Sequence, residues 1–298
     1  MIFKKFGKTD EKISSIGLGT WKIGENRNNA ITSIRIALDF GINFIDTAEM
    51  YGTEEIVGAA LKAIKRDDFF IATKVSPHHF HYKEVIKACD ESIKRLGLKY
   101  IDLYQLHWPA KNIPIKETMR AMEKLMKDGK IMHIGVSNFS VEEIKEAQSA
   151  LKNSEIISNQ VEYNVLSREI ESDGTLEYCK KNNIEVIAYS PFMRGDLSKA
   201  NFNKVYNKLE VIGKKYNKTA FQVALNWLIS KGTLPIPKAL NYAHIIENAA
   251  ATEFKLSDAD ISAIDKIDTR KKEFIPVKNI MKRTSLFSRI ITDRANKF

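Results

Sequence analysis

Cysteine is scarce in this chain, and its scarcity excludes two classes of protein. Cys89 and Cys179 are the only cysteines among 298 residues, and they have no CxxC spacing. They make neither a disulfide framework nor a zinc site, which fits a reducing compartment. The sequence also lacks an apolar run long enough to span a bilayer, and its first residues lack the apolar region of a signal peptide. We therefore expect a cytoplasmic protein without a metal site.

Glycine-rich turns that hold phosphate are missing as well. Gly17 and Gly19 are followed by Lys22, where a dinucleotide-binding turn would carry its third glycine. No acidic residue is suitably placed downstream, and there is no Walker A sequence. These absences argue against a doubly wound open sheet, which is the architecture that competes with a barrel.

Positive charge is unevenly distributed. Residues 270–298 contain nine Lys/Arg and two Asp/Glu, so this tail carries +7 of the net charge of +10. The body therefore gives no reason to expect nucleic acid as a partner. In a helical tail the apolar residues would share one face, with basic residues between them. Such a helix can touch a membrane surface, but we favour docking on protein.

Apolar runs alternate with helical patterns along most of the chain. Residues 2–16 alternate apolar and polar side chains around a turn at Gly7 to Asp10, which predicts a β-hairpin. Eight βα units in roughly 250 residues predict a (β/α)8 TIM barrel in residues 1–269, followed by a C-terminal helical extension. The expected barrel strands are residues 17–21, 43–46, 69–73, 101–106, 131–136, 156–161, 185–190 and 233–237.

Four side chains that can handle protons follow three consecutive predicted strands. Asp46 ends one strand, with Tyr51 in the loop behind it, and Lys74 and His107 follow the next two. The carboxyl ends of barrel strands meet at one face, where barrel enzymes hold their chemistry. A carboxylate, a phenol, an ammonium and an imidazole together can donate a proton. The alternative is a structural ion pair of Asp46 with Lys74, and we favour the catalytic interpretation.

Seven segments, in order, resemble the aldo-keto reductases, nicotinamide-dependent carbonyl reductases built on a (β/α)8 barrel. NFIDTAEMYG is similar to the active-site signature of that family, and IATKVS and LYQLHWP contain a similar lysine and histidine. The other matching segments are KDGKIMHIGVSNFS (127–140), NQVEYN (159–164), AYSPFMRG (188–195) and LPIPKALNYAHIIEN (234–248). Their order and spacing make the resemblance specific.

The resemblance implies a reduction of aldehydes or ketones in which NADPH supplies a hydride and the protein supplies a proton. Tyr51 would donate that proton. Lys74 would lower the pKa of the phenol, because an ammonium stabilises phenolate, and Asp46 would pair with Lys74. His107 would orient the carbonyl of a small-molecule substrate.

The same resemblance implies a set of cofactor contacts. Ser137, Asn138 and Gln160 would bond the nicotinamide carboxamide, and Tyr189 would stack on the ring. For Ser137 and Asn138 the alternative is a helix N-cap, and for Tyr189 it is barrel packing. The remaining implied cofactor residues are Thr20, Ser190, Lys238, His244 and Asn248.

Cofactor preference and substrate are less defined. Ala239 stands where many family members carry Ser or Thr, and His244 stands where many carry Arg. NADPH is expected, because Lys238 and His244 could still hold the phosphate. A neutral histidine cannot form the bidentate phosphate contact of arginine, so use of NADH or of both cofactors stays open. Trp21 and Trp108 would line the substrate pocket, with packing at the barrel rim as the alternative. The sequence leaves the physiological substrate and the oligomeric state open.

Two other functions compete with the reductase. One is a cofactor-binding regulatory module with little turnover, which the basic tail keeps open. The other is an aldolase-like barrel in which Lys74 forms a Schiff base with the substrate carbonyl.

Overall fold

A computed structural model of the protein describes residues 1–110 and 112–268, excluding the side chain of Asn201. The predicted tail at 270–298 lies outside the described residues. The strands are β1 (Phe3–Lys5), β2 (Lys12–Ser14), β3 (Gly17–Gly19), β4 (Phe44–Asp46), β5 (Phe70–Val75), β6 (Ile101–Leu106), β7 (Ile131–Ser137), β8 (Ile156–Glu162), β9 (Glu185–Tyr189) and β10 (Leu234–Pro235). The α-helices are α1 (Arg27–Asp39), α2 (Glu54–Leu61), α3 (Tyr82–Leu96), α4 (Ile115–Lys127), α5 (Val141–Ala150), α6 (Glu169–Ser172), α7 (Thr175–Lys181), α8 (Asn203–Lys214), α9 (Ala220–Ser230), α10 (Tyr242–Ala250) and α11 (Asp258–Asp265).

Strands β3 to β10 form one parallel sheet in chain order. The first and last strands approach each other where the Gly19 N–H donates to the carbonyl of Pro237 at 3.1 Å. This contact brings the two edges of the sheet together, and helices cover its outer surface. The predicted (β/α)8 barrel is confirmed, and the doubly wound alternative is excluded.

The N-terminal hairpin fills one end of the barrel. Strands β1 and β2 pair antiparallel, as the sequence predicts. Phe6, at the start of the turn, is fully buried, and its ring centroid lies 5.7 Å from that of Phe44 and 5.1 Å from that of Phe70. Burying one such side chain contributes about 1.5–3 kcal/mol. The hairpin thus closes the barrel at the amino-terminal ends of its strands, so a site for chemistry lies at the opposite, carboxyl-terminal face.

The helices begin and end at local sequence signals. Helix α5 starts at a capping box in which the Ser140 and Glu143 side chains each accept a hydrogen bond from the other's backbone N–H. Helix α3 stops at Gly97, whose φ of +66° is the left-handed conformation that glycine adopts without strain. Among the described helices, none has the length and apolar character needed to cross a bilayer.

Candidate active site

A buried ion pair lies at the carboxyl ends of β4 and β5. Lys74 Nζ donates to Asp46 Oδ1 at 2.6 Å and to the carbonyl oxygen of Thr47 at 2.9 Å. The side chains of Lys74 and Asp46 are 0% and 2% exposed. Removing two charges from water is costly unless they pair with good geometry, so each residue depends on the other.

Tyr51 lies beside this pair, in a short 3-10 helix that follows β4. Its hydroxyl is 3.5 Å from Lys74 Nζ, so all three N–H bonds of the ammonium have acceptors. The Tyr51 ring meets the His107 ring edge-on, with centroids 5.5 Å apart. The four residues predicted to be catalytic therefore lie together at the carboxyl face of the barrel.

The ionisation of these groups follows from burial. Burial and the Asp46 carboxylate raise the pKa of Tyr51 well above its ordinary value. The lowering expected from Lys74 is not seen, because burial of the phenol is the larger effect and the Asp46 carboxylate adds to it. Burial also lowers the pKa of Lys74, although Asp46 counteracts this effect. Burial and the nearby Lys74 charge lower the pKa of His107 to about 3, so its imidazole is neutral at ordinary pH.

Asn138 connects three strand ends. Its Nδ2 donates to the His107 carbonyl oxygen at 3.2 Å and to Ser137 Oγ at 2.9 Å, and its Oδ1 accepts from the Tyr189 hydroxyl at 2.9 Å. Its backbone is left-handed, with a φ of +64°, which asparagine tolerates better than most residues. The N-cap alternative for Ser137 and Asn138 is wrong, because Ser140 caps α5.

Gln160 makes a contact that the sequence did not predict. Its Nε2 donates to Asp46 Oδ2 at 2.8 Å, and its backbone carbonyl accepts from Ser137 Oγ at 2.8 Å. Asp46 therefore accepts from Lys74 on one oxygen and from Gln160 on the other. Gln160 therefore links the predicted carboxamide-binding residues to the proton-handling residues through this one carboxylate.

Sequence comparison finds known proteins that are similar to this chain over most of its length. A sequence model of the Aldo/keto reductase family matches residues 15–269. The chain is 38% identical over 269 residues to methylglyoxal reductase YeaE of Escherichia coli (strain K12), covering 86% of this chain and 92% of that protein. It is 41% identical over 263 residues to glyoxal reductase of Bacillus subtilis (strain 168), covering 86% and 88% of the two chains.

Solved structures agree with the sequence comparison. The thermostable aldo-keto reductase Tm1743, crystallised with the inhibitor epalrestat, superposes with a TM-score of 0.85 at 39% identity, covering 90% of this chain and all of that one. An aldo-keto reductase from Klebsiella pneumoniae in complex with NADPH superposes with a TM-score of 0.83 at 34% identity, covering 93% and 99%.

This chain belongs to the aldo/keto reductase family. The other residues expected to contact cofactor lie in different environments within this aldo-keto reductase. Thr20 is fully buried, and its hydroxyl lies 3.3 Å from that of Thr53. The Ser190 carbonyl accepts from Asn164 at 3.2 Å. Lys238 and His244 are exposed, whereas Asn248 is buried.

The two predicted pocket tryptophans lie at the barrel mouth in unequal positions. Trp21 is 41% exposed, and the Arg194 guanidinium carbon lies 5.6 Å from its ring centroid. Trp108 is half-buried and stacks on His107 with centroids 6.4 Å apart. Trp108 Nε1 and His107 Nδ1 are buried without a hydrogen-bond partner among the described residues. Trp108 thus has the closer geometric relation to the four central residues.

Glu54 supports the site, although the sequence analysis did not identify it as a site residue. Its buried carboxylate accepts from the Thr73 hydroxyl at 2.6 Å and from Arg95 Nε at 2.7 Å, anchoring β5 one residue before Lys74. The available signal was its position in α2, on the same helical face as the buried Val57 and Leu61. A glutamate on a buried face needs partners, and the sequence did not identify them.

Proposed function

We propose that this protein reduces small aldehydes or ketones to alcohols with NADPH, and that Tyr51 donates the proton. The observation that carries the proposal is the hydroxyl of Tyr51 at 3.5 Å from the buried Lys74 ammonium, which Asp46 holds at 2.6 Å. The names of the methylglyoxal and glyoxal reductases support small dicarbonyl compounds as first test substrates.

The residues beside this group fit a nicotinamide. A carboxamide needs both donors and acceptors, and the buried Ser137, Asn138 and Gln160 side chains offer both kinds. Tyr189 presents an aromatic ring at the same edge, fixed through its hydroxyl by Asn138. Bound NADPH supplies the hydride. The Klebsiella pneumoniae relative in complex with NADPH supports this choice of cofactor, with Lys238 and His244 as the candidates for the phosphate end.

Proton delivery follows from the ionisation of the four groups. Tyr51 has a raised pKa, so it is protonated before the reaction and has a proton to give. The Lys74 ammonium then stabilises the phenolate that is left. His107 is neutral, so it orients the carbonyl oxygen by hydrogen bonding and does not act as an imidazolium acid. A Schiff-base role for Lys74 is disfavoured, because its three N–H bonds are all directed at protein acceptors.

The test compares wild type with Tyr51→Phe. Oxidation of NADPH or NADH is followed by absorbance on a panel of small aldehydes that includes methylglyoxal. We expect kcat to fall by about 10²- to 10⁴-fold in Tyr51→Phe, the usual contribution of a general acid, while the Kd for NADPH is retained. Full activity in Tyr51→Phe would overturn the assignment of the acid. Tight NADPH binding without turnover in wild type would favour the regulatory module.

A further inference from the structure

Glu49 connects the loop that carries Tyr51 to the segment that follows Lys74. It lies two residues before Tyr51, in the same 3-10 helix. Its Oε1 accepts a hydrogen bond from the backbone N–H of Ser76, two residues after Lys74. One side chain therefore joins the two elements on which the phenol and the ammonium are mounted.

The carboxylate of Glu49 is held on a second side by a histidine. His79 Nδ1 lies 3.1 Å from Oε1 and 3.4 Å from Oε2 of Glu49. The Glu49 side chain is only 9% exposed, whereas that of His79 is 49% exposed. A carboxylate this buried is stable where donors surround it, so rotation into solvent would forfeit both contacts.

The neighbouring histidine has a different task. His81 Nδ1 lies 3.3 Å from Glu117, and that carboxylate also accepts from the Tyr82 backbone N–H at 2.9 Å. His81 therefore supports the start of α3. Of His78, His79 and His81, only His79 contacts the loop of Tyr51 among the described contacts.

We propose that Glu49 is a positioning residue that holds Tyr51 within reach of Lys74, with His79 as its partner. This inference rests on the proposed function. The Tyr51–Lys74 distance of 3.5 Å is at the outer limit of a hydrogen bond, so a small shift of the loop would break it. Misplacement of a reacting group by about 1 Å can cost about 10²-fold in rate.

The experiment measures kcat and KM with methylglyoxal and NADPH for Glu49→Ala, Glu49→Gln and Glu55→Gln. Glu55 is an exposed glutamate at the start of α2 and serves as the matched control. We expect Glu49→Ala to lower kcat by about 10- to 100-fold while the KM for NADPH stays within about twofold. Glu49→Gln should recover most of kcat, because its amide oxygen still accepts from Ser76. Glu55→Gln should behave as wild type.

A Tyr51→Phe background separates positioning from a general structural effect. If Glu49 acts through the Tyr51 hydroxyl, Glu49→Ala should cost nothing further in Tyr51→Phe. An equal loss in both backgrounds, an unchanged kcat in Glu49→Ala, or Glu49→Gln as impaired as a folded Glu49→Ala would each overturn the inference. If Glu49→Ala does not fold, His79→Ala is measured in its place. It should lower kcat, though less than the loss expected for Glu49→Ala, and a wild-type kcat in His79→Ala would also contradict the positioning role of Glu49.

The outcomes distinguish the two proposals. Loss of activity in Tyr51→Phe with full activity in Glu49→Ala removes only the role of Glu49. Full activity in Tyr51→Phe removes the proposed acid, and the positioning role is overturned with it.

Discussion

Asp46 is the residue on which the candidate site depends most. Its two oxygens accept from Lys74 on β5 and Gln160 on β8. Because Lys74 in turn contacts Tyr51, the carboxylate influences both the charge and the position of the proposed acid.

Lys74→Met should destabilise the fold strongly. It leaves Asp46 as a buried charge without its cationic partner, which lowers the free energy of unfolding by about 3–5 kcal/mol. Asp46→Leu/Lys74→Met removes both charges and should be more stable than Lys74→Met alone. Urea unfolding monitored by circular dichroism provides the measurement. Equal stability of the two variants would show that pairing contributes little.

His107 should make stability depend on pH. Its pKa is about 3 in the folded protein against an ordinary value of 6.5, so the unfolded chain binds the proton more readily between these values. The stability contribution is present above pH 6.5 and is lost as pH falls toward 3, by up to about 1.4 kcal/mol per pH unit.

The check for His107 is urea unfolding of wild type and His107→Gln at pH 7 and pH 5. Glutamine does not titrate, so the wild type should lose more stability than the variant on acidification. Parallel losses in the two proteins would contradict the burial argument.

Among the elements, α2 and α3 pack at a close approach that permits no side chain. A Cβ added at Gly58 would lie 2.4 Å from the carbonyl oxygen of Leu96. The same helix carries Glu54, which anchors β5 beside Lys74. Packing between two outer helices therefore supports the end of the strand that carries the ammonium.

Gly58→Ala should destabilise the protein by about 1–3 kcal/mol, the usual cost of overpacking. Gly24→Ala is the matched control, because its added Cβ would meet only the end of Ile56, at 3.9 Å. Thermal unfolding should show a lower midpoint for Gly58→Ala and a midpoint near wild type for Gly24→Ala. The close approach would be refuted by equal midpoints.

At the scale of the whole molecule, the last strand among the described residues ends at Pro235, and described core residues extend to Ile267. The division into a barrel at 1–269 and a basic tail at 270–298 stays a prediction. It has a direct test, because the two parts should be separable.

A chain truncated after Thr269 should fold, because it keeps every described core residue up to Ile267. Its circular dichroism spectrum and unfolding midpoint should resemble those of the full chain. Failure to fold would show that the tail belongs to the domain. Pelleting of both chains with anionic liposomes tests the membrane alternative: full-length binding that the truncation abolishes would support it over docking on protein.

Much of this arrangement followed from the sequence alone, because its signals are local. Apolar periodicity and turn residues specify each βα unit, and eight units in one chain leave the barrel as the favoured architecture. Asp46, Lys74 and His107 were predicted to converge because strand ends of one parallel sheet meet at one face. Family resemblance then assigned their expected roles.

Tertiary structure alone decided the contacts between distant residues. Gln160 reaches Asp46 across 114 positions of sequence, Glu54 reaches Arg95 from another helix, and Glu49 meets Ser76 and His79 from the neighbouring loop. The direction of the Tyr51 pKa also required the fold, because it depends on burial and on where the Asp46 charge lies. Local patterns specify strands and helices, but hydrogen bonding and electrostatics depend on distances that exist only once the barrel has closed.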